Sequence, residues 1–124
     1  MKVLKLSDRI SIKQNGLEIV ISPLSYEQKI ELAGLAKIDA GENVVKTMSQ
    51  IAKTLKACVK DIKGLTNYDD TPYELSFVDG YLSDECVDEI IQTLGNEEIL
   101  QTMIKAIGGE MKVEGAEITV SPKK

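Results

Sequence analysis

The sequence predicts an α+β domain: an N-terminal β-hairpin packed on about four α-helices, with a short C-terminal strand or hairpin. Three observations carry that expectation. Asn15-Gly16 sits between two alternating apolar runs, later segments repeat apolar residues every three or four positions, and alternation returns around Glu114-Gly115. At 124 residues the chain has the length of one domain. Within it the hairpin covers 8–22, a helical body 25–107 and a C-terminal β segment 110–120. A chain of this size buries roughly two thirds of its unfolded surface, so it needs no disulfide or metal staple.

The hairpin is specified down to its register. Asn-Gly takes the positive φ angles of a type I′ turn, which a two-residue hairpin loop requires. Gln14 then faces Leu17, Lys13 faces Glu18, Ile12 faces Ile19, Ser11 faces Val20 and Ile10 faces Ile21. Four isoleucines share one face and Lys13 pairs with Glu18 on the other. Pro23 ends the second strand. Ser25-Tyr26-Glu27-Gln28 has the form of a capping box and opens a first helix over 26–37, with 38–42 as a connection.

A second and longest helix is expected over 43–63, with Gly64 as its C′ residue. Val44, Met48, Ile51, Leu55, Cys58 and Ile62 form its apolar stripe, and Lys46, Lys53, Lys56, Lys60 and Lys63 its opposite side. Residues 64–72 read as a loop, followed by either a short strand through Tyr73, Leu75 and Phe77 or an extended connection. Ser83 caps a third helix over 84–94 and Asn96 a fourth over 97–107; glycines end both. The tail at 111–120 is either a small second hairpin or one strand added to the first sheet.

Composition narrows the chemistry. There is no histidine, which removes imidazole proton transfer, Ser-His-Asp and Cys-His catalysis and His-liganded metals. Two cysteines cannot build a Cys₄ zinc site, and Cys58 and Cys86 each lie in an apolar helical pattern that suits reduced, buried thiols. No cofactor is implied. Twenty acids against fifteen bases disfavour nucleic acid as a partner, and no apolar run approaches the ~20 residues of a membrane span. The N-terminus lacks the apolar core of a signal peptide, so the expected location is cytoplasmic.

Charge is uneven along the chain. Residues 40–63 hold five lysines against Glu42 and Asp61, whereas 64–110 hold eleven acids against Lys105. Lys46, Lys53, Lys56 and Lys60 on one side, and Asp84, Glu85, Asp88 and Glu89 on the other, are therefore candidate electrostatic contacts. The alternative is that both are solvated helix faces, or that they attract each other. The four carboxylates contain two i,i+4 pairs, but nothing beside them supplies a calcium loop, a nucleophile or an oxyanion cradle. Catalytic, cofactor and metal residues are thus expected to be none. Tyr68, Tyr73, Phe77 and Tyr81 gather around the central loop, as contact anchors or as caps on an aliphatic core.

One segment resembles a known family. Leu17-Glu18-Ile19-Val20-Ile21-Ser22-Pro23-Leu24-Ser25-Tyr26-Glu27-Gln28 is similar to the strand and "(I/L)-x-P-L-(T/S)" helix opening of the tail assembly chaperones of long-tailed bacteriophages. The specific match is about a dozen residues long, and nothing from Asn67 onward adds to it. The resemblance implies a non-enzymatic protein of the infected bacterial cell that binds the tape-measure protein, recruits tail-tube subunits and forms homo-oligomers. The stripe of Met48, Ile51 and Leu55 would then be a groove or subunit contact. A phage virion structural subunit (head-tail or tail accessory protein) and a small acidic binding or inhibitor module are the rival readings.

Overall fold

The computed structural model describes residues 1–28, 30 and 44–122. The fold is α+β: a four-stranded antiparallel sheet carries helices on one face, and a second two-stranded sheet lies beside it. The N-terminal hairpin, β1 (Arg9–Gln14) and β2 (Leu17–Ile21), has the register expected from its turn, with Ile10 opposite Ile21 and Ile12 opposite Ile19. Asn15 and Gly16 take φ of 52° and 79°, as a type I′ turn needs. All four isoleucines are buried. Complete burial of one such side chain stabilises by about 1.5–3 kcal/mol, enough to fix which face turns inward.

After Pro23, Leu24 is buried and the capping box forms: the Gln28 amide donates to Ser25 Oγ, and the Ser25 amide donates to Gln28 Oε1. A helix opens at residue 26, and the rest of the expected helix and its connection fall mainly outside the described residues. The next helix, α1 (Val44–Cys58), ends five residues earlier than expected. Residues 59–63 are not helical. They form β3 (Val59–Lys63), which pairs with β2 and follows α1 without a loop.

The reason for that difference lies in a register shift. Ile21 faces Val59 and Val20 faces Asp61, so Lys60 has no opposing residue. A strand with such a bulge can turn Val59 and Ile62 to the same side, although a regular strand would separate them. Both are buried. Their three-residue spacing, following Leu55 and Cys58, imitates the helical stripe. The open edge of β2 captures the segment instead, with Glu18 opposite Lys63 and Ile19 opposite Ile62.

Gly64 accordingly ends a strand rather than a helix. Its φ is 105°, and a Cβ there would lie 2.7 Å from the Gly16 carbonyl oxygen, so the end of β3 abuts the hairpin turn.

The second sheet is a two-residue hairpin, β4 (Phe77–Val78) and β5 (Tyr81–Leu82), turning through Asp79 and Gly80. Of the two alternatives for the segment before it, the extended connection is the one that forms over 73–76, and only Phe77 of the three alternating residues enters a strand. Next come α2 (Asp84–Leu94) and α3 (Glu98–Ile107). Ser83 caps α2 by accepting from the Cys86 amide, as expected. Glu97, not Asn96, occupies the N-cap of α3 and makes no side-chain cap bond; the preceding turn is closed by the Glu97 amide on the Leu94 carbonyl.

Finally β6 (Glu117–Ser121) joins the outer side of β1, giving the order β3-β2-β1-β6. Of the two tail alternatives, the added strand is the one that forms. Gln14, the last core-facing residue of β1, accepts a 2.7 Å bond from Thr102 Oγ1 and so ties α3 to the hairpin. Among the described residues no buried side-chain nitrogen or oxygen lacks a partner.

Gly64→Ala and Gly80→Ala separate backbone strain from contact. Both positions have positive φ, but only Gly64 has a neighbour within reach of a Cβ. Urea denaturation should show a loss of about 1–2 kcal/mol for Gly80→Ala and about 3 kcal/mol or more for Gly64→Ala. Equal losses would mean the Gly64–Gly16 approach is unimportant.

Candidate functional site

The β4–β5 hairpin exposes three large apolar side chains, Phe77, Val78 and Tyr81, on a hydrogen-bonded frame. In its register Val78 faces Tyr81 and Phe77 faces Leu82. Leu82 is fully buried and anchors one side, whereas Val78 and Tyr81 share the other and are 60% and 51% exposed. Phe77, on the anchored side, is still 45% exposed. The turn places Asp79 and Gly80 at positive φ, and Lys60 Nζ reaches the Gly80 carbonyl at 3.5 Å. An exposed aromatic and aliphatic ridge rimmed by charge is the usual form of a protein-contact surface.

A hydrogen-bonded cluster around Cys86 braces this ridge from behind. The Ser76 amide donates to Cys86 Sγ at 3.2 Å, and Ser76 Oγ lies 3.5 Å from the same sulfur and 2.6 Å from Ser83 Oγ. The Ser83 amide donates to the Ser76 carbonyl, joining the start of α2 to the residue before β4. The Tyr73 hydroxyl lies 3.3 Å from Cys86 Sγ and 3.0 Å from Glu89 Oε1, so one phenolic proton serves both. Burial pushes the Cys86 thiol up, but hydrogen bonds from Ser76, Tyr73 and Ser83 outweigh it and hold the thiol below its ordinary value. Tyr73 moves upward through desolvation and the neighbouring Cys86 and Glu89.

The four aromatics expected around the loop divide into two places. Phe77 and Tyr81 belong to the hairpin. Tyr68 and Tyr73 line a cleft of about 680 Å³ between the loop from Leu65 and the outer side of α2, where Glu89, Gln92 and Thr93 form the facing wall. Tyr68 is fully exposed at the rim, and Tyr73 is half-buried against the core.

Two residues of the expected helical contact stripe face inward. Leu55 is completely buried and Ile51 packs against the core, while the side chains of Met48 and Lys46 fall outside the described residues. Lys53 is exposed on α1. Lys56 pairs with Asp84 at 2.7 Å, and Lys60 stands on β3 rather than on a helix. The exposed Lys56–Asp84 pair contributes at most ~0–1 kcal/mol.

Glu85 and Asp88 are exposed, and Glu89 receives Tyr73. Among the described residues no three Cys, Asp or Glu side chains converge as a metal would require. None of their helices is long and apolar enough to cross a membrane.

Sequence reasoning missed the hairpin and the bracing cluster. Asp79-Gly80 carried the same turn signal as Asn15-Gly16 and could have disclosed the first. The cluster joins residues 3 to 16 positions apart with no period to reveal it. With this geometry described, comparison offers no relative: no protein family, curated protein or solved structure matches the chain.

The two thiols make opposite contributions to pH dependence. Burial raises Cys58 from 9.0 to about 12 despite the lowering influence of Lys60. A raised folded-state value gives stability that is complete below the unfolded pKa and lost as pH rises through the folded one. Tyr73 acts with the same sign. Cys86, being lowered, gives stability present above its unfolded pKa and lost as pH falls through its folded value. Urea midpoints should therefore decline between pH 9 and 12, and the decline should be shallower in Cys58→Ala relative to that variant's own neutral-pH value. An identical alkaline slope in both proteins would contradict this account of Cys58.

Proposed function

We propose that this chain is a non-enzymatic assembly protein of the bacteriophage tail-assembly-chaperone type, working in the cytoplasm of an infected cell. It binds apolar helical segments of a tape-measure protein and recruits tail-tube subunits, and it acts as a homo-oligomer. The observation that carries the reading is the braced ridge of Phe77, Val78 and Tyr81, which offers rigid apolar anchors beside the exposed carboxylates of α2. Rigid aromatic anchors lose little side-chain entropy on binding, so they suit recognition of apolar helices.

The strand exit and helix cap of Ile21 to Ser25 support the family resemblance in form. Ser22 donates its amide to the Cys58 carbonyl, Leu24 is buried and Ser25 caps. These residues have a structural task, so the functional weight rests on the ridge.

Co-expression with apolar helical fragments of a tape-measure protein tests the proposal. The wild-type chain should raise the soluble fraction of the fragment and bind it in calorimetry. Val78→Ser combined with Tyr81→Ser should weaken binding by about thirtyfold or more, the loss expected from removing central anchors, with an unchanged circular dichroism spectrum. A wild-type chain that neither binds nor solubilises the fragments would overturn the reading. Recovery of the chain from purified particles at fixed copy number would favour the virion subunit instead.

A further inference from the structure

The two edges of the main sheet are built differently. On β3 the edge bears Lys60 at a register shift, Lys63 beside Gly64, and contacts with β5. A bulge, lysines and a covering element are the usual means by which a protein blocks an edge from pairing. Among the described residues the other edge, β6, has none of these: it reads Glu117-Ile118-Thr119-Val120-Ser121, pairs residue for residue with β1, and has one charge and no internal proline. Among the described residues its outer side pairs with no strand.

β6 is also self-complementary. In an antiparallel pairing of two copies centred on Thr119, Thr119 faces its own counterpart, Ile118 faces Val120 and Glu117 faces Ser121. No like charges oppose each other, and the apolar residues meet on one face. That face is the core side, because Val120 lies opposite Ile10 and Ile118 opposite Ile12 within the sheet. Val120 is 47% exposed although its partner Ile10 is buried, so the apolar surface runs out to the edge and stops uncovered there.

We propose that β6 is a pairing edge for a second copy of this chain. Two protomers join antiparallel about Thr119 into one continuous eight-stranded sheet, with Val120 of each protomer packing on Ile118 of the other. The pairing is short, so the dimer is concentration-dependent, and it does not depend on the proposed chaperone role.

The test uses the full chain in sedimentation velocity together with two substitutions at Thr119, an exposed residue on the polar face of the sheet. Wild type should pass from monomer to dimer with rising concentration. Thr119→Lys places two cations against each other on the axis and should weaken the dimer about tenfold or more with the thermal midpoint unchanged. Thr119→Cys should give a covalent dimer under mild oxidation, since directly opposed residues of antiparallel strands lie ~4.5–5.5 Å apart at Cα, within disulfide range. Cys58 and Cys86 are buried and should stay reduced in the same reaction.

A wild-type chain that stays monomeric at every concentration overturns the proposal. So does a dimer or larger oligomer that Thr119→Lys leaves intact and Thr119→Cys does not cross-link.

Discussion

The junction between α1 and β3 is the constraint on which the rest of the molecule depends. The helix stops at Cys58 and the strand begins at Val59, with no loop to absorb a change of direction. Ser22, leaving β2, donates its amide to the Cys58 carbonyl at 2.8 Å, and its hydroxyl lies 3.4 Å from the same oxygen. A carbonyl released at a helix end thus finds its partner on the neighbouring strand. The same bond sets where β3 starts along β2. Once it is made, Val59 and Ile62 turn into the core and Gly64 reaches the Gly16 turn. Pro23 then leads the chain out of β2, where continued pairing would need an amide that proline lacks.

From that junction the exposed ridge inherits its position. β3 carries Lys60 to the Gly80 carbonyl, α1 carries Lys56 to Asp84, and α1 itself packs on both β5 and α2. Leu82 is the side chain that makes the hairpin part of the core. Two-residue strands have almost no stability alone, so the hairpin's shape must come from elsewhere. It comes from Leu82 below and from the Ser76, Ser83 and Cys86 bonds at its base. The Cys86 thiol therefore works as a multivalent acceptor in a polar joint, buried beside groups that donate to it.

Legibility in the sequence followed the range of the interaction. The β1–β2 register, the Ser25–Gln28 box and the Ser83 cap depend on residues within a few positions of one another, where turn chemistry and side-chain period agree. The β3 segment was illegible because its bulge gives Val59 and Ile62 a helix-like spacing, and because what makes it a strand is the open edge of β2, some forty residues earlier. The hairpin had a readable turn in Asp79-Gly80, but strands of two residues have no period. The site's aromatics were recognised as a group, but their division between ridge and cleft depends on Cys86 and Glu89, which no local pattern connects to Tyr73.

Charge shows how folding rearranges what the chain order separates. Read linearly, a lysine-rich segment precedes an acidic half. In the fold these meet along one seam, where Lys56 and Lys60 touch the start of α2 and the tip of the hairpin turn. The seam consumes Asp84 but leaves Glu85 and Asp88 exposed on the same helix. Exposed pairs of this kind hold little energy, so the seam's effect is mainly one of distribution: Lys56 and Lys60 are engaged at Asp84 and the Gly80 carbonyl, whereas Glu85 and Asp88 stay exposed on α2. A field of one sign around an apolar contact surface accelerates encounter with oppositely charged partners, and bound lifetime then depends on the apolar anchors. The two properties are separable. In the proposed assembly role, salt acts on the first through Glu85 and Asp88, whereas the second belongs to Val78 and Tyr81, which the joint at Cys86 holds in place.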